Sequence, residues 1–67
     1  MNESLEEWLR LIRAEYKEIP GLELTHVQVE RLWRLDPATA DSLLHSLVSS
    51  RFLKKTLRGT YIRAEGH

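Results

Sequence analysis

Between Asp36 and Arg63 the apolar residues change their spacing once, and that change fixes what the chain can become. Ala40, Leu43, Leu44 and Leu47 recur at helical intervals, with Val48 extending the stripe. Beyond Arg51 two runs rich in β-branched and aromatic types flank Arg58-Gly59 instead. A helix followed at once by a β-hairpin is the simplest reading. The helix has a defined start, because Asp36 can accept from free first-turn amides and Pro37 at the first helical position loses no useful donor. A two-residue turn at Arg58-Gly59 would set Leu57 against Thr60 and Lys55 against Ile62. Leu53, Leu57 and Ile62 then share one face, with Phe52 and Tyr61 on the other.

Upstream, "SLEEWLRLIRAEYKEI" places Leu5, Trp8, Leu9, Ile12, Tyr16 and Ile19 on one helical stripe. Ser4 with Glu7 has the spacing of a capping box, and Asn2 is a rival cap. Pro20-Gly21 ends this helix. "LEL" at 22–24 alternates like a short strand. Thr25 opens a second helix, spaced with Gln28 as another capping box. Its inner face is Val29, Leu32 and Trp33, and it ends near Arg34. Leu35 lies in the turn, as an apolar plug between crossing helices.

Bulk properties narrow the functional classes. A chain of 67 residues makes one domain, spanning 1–67. It has no cysteine, so neither a disulfide nor a thiolate metal site braces the fold. Cysteine-free composition suits a soluble, cytoplasmic protein, and no apolar run approaches the ~20 residues of a membrane span. The formal net charge is zero, yet it is unevenly spread. Residues 1–30 carry three basic and seven acidic side chains, a net of −4. Residues 31–67 carry seven basic and three acidic, a net of +4. Such asymmetry points to a basic binding face at the C-terminal side.

No enzyme is expected. The sequence has no glycine-rich phosphate loop and no nucleophile paired with a base. His26, His45 and His67 lack the spacing of metal ligands, so no metal and no cofactor is expected. Trp8 and Trp33 fall on or beside apolar stripes and read as core. Leu11 lies off the stripe of the first helix, next to Trp8, and offers a contact for a homodimer through that helix.

The stretch "LTHVQVERLWRLDPATADSLLHSLVSSRFLKKTLRGTYIR" resembles the DNA-binding domain of bacterial winged-helix transcriptional regulators. Its texture is similar to the isocitrate-lyase-regulator type and, more loosely, to the multiple-antibiotic-resistance-regulator type. The matching pieces are "LT" before the second helix, the turn around Leu35, "ATADSLLHSLVSSRFL" and the short wing "LRGTYIR". They cover residues 22–63, about two thirds of the chain.

The resemblance implies an α+β, mostly α fold: a three-helix winged helix-turn-helix with a C-terminal β-hairpin wing. With it goes the expectation of a small stand-alone protein that binds double-stranded DNA and regulates transcription; the few cations of the wing are a modest footprint for one copy, so a dimer is expected. The third helix would enter the major groove with its N-terminal residues nearest the base edges. By position these are Ala38, Thr39, Asp41, Ser42 and His45, with Thr39, Ser42 and His45 as base-edge contacts. Arg51, Lys54, Lys55, Arg58 and Arg63 would supply phosphate contacts, and Arg31 and Arg34 could touch the backbone beside the turn. Two positions depart from the family pattern. Arg51 stands where relatives carry glycine, so the chain is expected to leave the helix by another route. Asp41 stands among residues that are basic or amide in relatives. Together with the zero net charge, it leaves open an alternative: a winged helix that docks on a protein partner and binds no DNA.

Overall fold

In the computed structural model, described here for residues 5–64, the elements follow the order α1 (Leu5–Glu18), β1 (Leu24–Thr25), α2 (His26–Trp33), α3 (Pro37–Ser49), β2 (Leu53–Lys55) and β3 (Thr60–Arg63). The strands form one antiparallel sheet in the order β1-β3-β2. The architecture is that of a three-helix winged helix-turn-helix, with β2 and β3 as the wing. The expected caps at Ser4 or Asn2, like His67, lie outside the described residues.

Local chemistry accounts for the boundaries. Thr25 Oγ1 accepts from the Gln28 amide at 3.1 Å, and Gln28 Oε1 accepts from the Thr25 amide at 2.8 Å. Both arms of the capping box are therefore made. Asp36 caps α3, with Pro37 in the first turn. Gly21, at φ +82, turns the chain after α1. The strand expected at 22–24 is displaced to Leu24–Thr25, where β3 offers a partner.

Ile12, Tyr16, Val29, Ala40, Leu43, Leu44, Leu47, Leu53 and Tyr61 make the core, with Trp8, Leu9, Trp33, Leu35 and Phe52 packed around it. Tyr16 is the largest fully buried side chain; its hydroxyl donates to the Tyr61 carbonyl at 2.8 Å. Phe52 meets the Tyr16 ring edge-on, at 6.4 Å between centroids.

Four residues expected inside are exposed: Leu5, Ile19, Leu32 and Val48. Leu5 and Ile19 sit at or beyond the ends of α1, whereas its buried residues, Ile12 and Tyr16, lie further in. On α2, Val29 and Trp33 are one helical turn apart and face inward, which turns Leu32 to an exposed flank. Val48 borders the stripe of α3 and lines a surface cleft instead.

The hairpin register also differs from expectation. Lys55 pairs with Tyr61, Lys54 with Ile62 and Leu53 with Arg63. Thr56 closes the loop through its amide to the Thr60 carbonyl, and the Gly59 amide donates to the Thr56 carbonyl. Leu57, Arg58 and Gly59 thus form a three-residue loop, with Gly59 left-handed at φ +85. A slip of one residue reverses which side chains face inward. Tyr61 enters the core with Leu53, and Leu57 is expelled into solvent. The buried Tyr61 and the Tyr16 bond to its carbonyl favour this register; a two-residue turn would have turned Tyr61 outward.

Arg51 corrects another expectation. The chain leaves α3 by the left-handed route even without glycine, with Arg51 at φ 68. The Phe52 amide donates to the Leu47 carbonyl at 2.9 Å and the Arg51 amide to the Val48 carbonyl at 3.0 Å, a Schellman closure. Holding a residue with a Cβ there costs about 1–2 kcal/mol. Arg51→Gly should therefore stabilise the domain by about 0.5–1 kcal/mol, after allowing for the extra freedom of glycine in the unfolded chain. A thermal melt should show a midpoint higher by several degrees; an unchanged or lower midpoint would contradict this account.

Candidate nucleic-acid interface

The exposed side of α3 begins at its cap. Asp36 Oδ1 accepts from the Thr39 hydroxyl at 2.6 Å and Oδ2 from the Thr39 amide at 3.2 Å. The hydroxyl first, and then the amide, hold the Asp36 carboxyl below its usual pKa. A lowered carboxyl pKa contributes stability above the unfolded-state value, and that contribution is lost as pH falls through the folded value. The same bond places the Thr39 hydroxyl in the cap, turned away from the role of a free base-edge donor. Ala38, Asp41, Ser42, His45, Ser46 and Ser49 remain exposed along the helix.

Acidic groups border the start of this face. His26 Nδ1 lies 2.7 Å from Glu30 Oε2, and its Nε2 lies 3.9 Å from Asp41 Oδ1. His26 thus spans α2 and α3 between two carboxylates. A cleft of about 160 Å³ separates α3 from the hairpin, lined by Asp41, Leu44, His45, Val48, Lys55 and Tyr61. It brings Lys55 to the flank of the α3 residues Asp41 and His45. Lys55 Nζ sits 5.9 Å from the centre of the Tyr61 ring.

The five expected phosphate contacts do not form one group. Lys54 and Lys55 are exposed but alternate along β2, with different partners on β3. Arg51 is exposed at the end of α3. Among the described residues neither Arg51 nor Lys54 has an ion pair. Arg58, at the wing loop, has its Nη2 2.8 Å from Glu23 Oε2. The Thr60 hydroxyl donates to that same carboxylate oxygen. Arg63 lies with its guanidinium 4.8 Å from the Phe52 ring centre, and its Nε is buried without a hydrogen-bond partner among the described residues. Arg63 is packing material more than a free cation. Arg31 and Arg34 are both exposed beside the turn, with Arg34 left-handed at φ 54.

Glu23 organises the wing loop, holding both Arg58 and Thr60. The alternation of residues 22–24 does not disclose this contact, which crosses 35 residues of chain. The register likewise sends Leu57 into solvent, away from the face with Leu53 and Ile62 that a two-residue turn predicts. No family model, curated protein or solved structure matches this chain.

Proposed function

We propose that this domain binds double-stranded DNA through α3 and the wing, and serves as a transcriptional regulator of the bacterial winged-helix type. One observation carries the reading. Arg51, Lys54 and Lys55 stand exposed at the C-terminal end of α3 and on β2, beside a hydroxyl-rich helix face that starts at a capped N-terminus. In this reading α3 lies in the major groove, where Ser42 and His45 meet base edges, and the three cations hold phosphates. Thr39 keeps its place in the cap.

The test is a salt titration of binding to random duplex DNA. Three phosphate contacts give a log–log slope of roughly −3, and a dimer on two half-sites about twice that. Absence of binding even at low salt would remove the reading. The Glu23–Arg58 pair refines the expectation. Glu23→Gln should release Arg58, steepening the slope by about 0.9 while costing the fold at most about 1 kcal/mol. A slope unchanged in this variant would mean that Arg58 stays off phosphate even when free.

A second reading is a protein-docking module. It is favoured by Val27 and Leu32, both about half exposed on α2, and by Asp41 on the presented face of α3. Reversal of Lys54 and Lys55 to glutamate separates the two, because a DNA binder loses affinity uniformly across sequences and a module docking through another face does not.

A further inference from the structure

The most exposed apolar side chain in the described structure is Leu57, with a relative exposure of 107%. A scattered surface leucine is ordinary. This one stands at the apex of the hairpin, on an unusually constrained support. Thr56 Oγ1 lies 2.6 Å from Thr60 Oγ1 and accepts from the amides of Arg58 and Thr60 at 3.2 Å. The Gly59 amide closes the turn on the Thr56 carbonyl at 3.0 Å. Glu23 ties Arg58 and Thr60 to the chain just ahead of β1. The backbone on both sides of Leu57 is thus held, and much of the entropy of ordering the tip is already spent. Lys54 and Lys55 follow behind it on β2.

We propose that Leu57 is an apolar wedge that enters the minor groove and partly unstacks a base step, with the lysines of the wing holding the flanking phosphates. The inference rests on the DNA-binding reading and adds to it a specific contact. A wedge must be apolar, must project beyond its support, and must not fold back when pushed against stacked bases. Leu57 meets the first two conditions by type and exposure, and the hydrogen-bonded loop meets the third. Cations beside it offset the repulsion of the two backbones that line the narrow groove. Such a contact discriminates by deformability: pyrimidine–purine steps open readily, whereas A-tracts are stiff. Leu57 would therefore favour sequences rich in TA steps, at positions where no base edge is read.

The experiment compares the parent and Leu57→Ala on two short duplexes, one of alternating TA steps and one an A-tract, each carrying 2-aminopurine as a stacking reporter. The parent should favour the TA duplex by roughly tenfold and raise its 2-aminopurine fluorescence, as a wedge of leucine size implies. Leu57→Ala should lose both effects, while its salt slope and thermal midpoint match the parent, because the side chain touches neither phosphate nor core. If the parent binds duplex DNA but the variant shows the same preference and the same fluorescence, the wedge is refuted and the DNA-binding reading stands. If the parent binds neither duplex at low salt, the DNA-binding reading falls, and the wedge falls with it.

Discussion

Tyr16→Ala is expected to leave the domain largely unfolded at 37 °C. Tyr16 is 1% exposed, joins α1 to the sheet through the Tyr61 carbonyl, and packs edge-on against Phe52. Removing a buried aromatic costs about 3–5 kcal/mol. A small domain has only about 0.05–0.15 kcal/mol of stability per residue, so this loss rivals the whole. Circular dichroism melts would measure it, and a cooperative transition near the parent midpoint would contradict the assignment of Tyr16 to the centre of the core.

Tyr16→Phe keeps the ring and isolates the hydroxyl. Near neutral pH it should cost about 1 kcal/mol, the usual worth of one hydrogen bond. Alkaline behaviour gives the sharper contrast. Burial first, and the nearby Glu23 carboxylate second, push the Tyr16 phenol up to about 12 from an ordinary 10.0. The folded state therefore holds the proton over a range in which the unfolded state releases it. Stability from the neutral phenol is complete below pH 10 and is lost as pH rises to about 12, by roughly 2–3 kcal/mol. The phenylalanine variant has no such loss. Parent and variant should thus approach and then cross in denaturant stability above pH 10, the parent being the less stable by pH 12. Parallel curves over that range would show that the phenol is not held neutral by the fold.

Reversing both lysines of the wing, Lys54→Glu with Lys55→Glu, should have the largest effect on the proposed activity. Two attractions to phosphate become repulsions, so affinity for random duplex should fall by roughly a hundredfold at low salt. The salt slope should become shallower by about 2, and the loss should be uniform across sequences. Both side chains are exposed, so the fold should tolerate the change. Unchanged DNA affinity would take the wing out of the interface. Arg51→Gly offers a cleaner separation of fold from site, since it should raise stability while removing one phosphate contact.

How much of this was legible beforehand depended on the range of the interaction. The boundaries of α2 and α3 could be read from Thr25 with Gln28 and from Asp36 with Pro37, because a cap is settled within four residues. The stripe Ala40, Leu43, Leu44 and Leu47 could be read for the same reason: helical geometry alone puts these residues on one face. The candidate site was legible only as a list. Composition could place cations in the C-terminal half. It could not say that Arg58 would meet Glu23, that Arg63 would lie on Phe52, or that the Thr39 hydroxyl would be taken up by its own cap. Arg51 shows the opposite error, in which a local rule about glycine was overridden by the Schellman closure and by the packing of Phe52 beyond it.

By itself, then, the sequence determined the order of the elements, the capped starts of α2 and α3 and the inner face of α3, because those follow from chemistry within one or two turns of backbone. Tertiary structure alone decided the hairpin register, and through it that Tyr61 is buried and Leu57 is presented to solvent. It also decided which cations remain free. The physical reason is distance along the chain. The Tyr16–Tyr61 bond spans 45 residues and the Glu23–Arg58 pair 35, and no local pattern encodes a partner that only folding brings near.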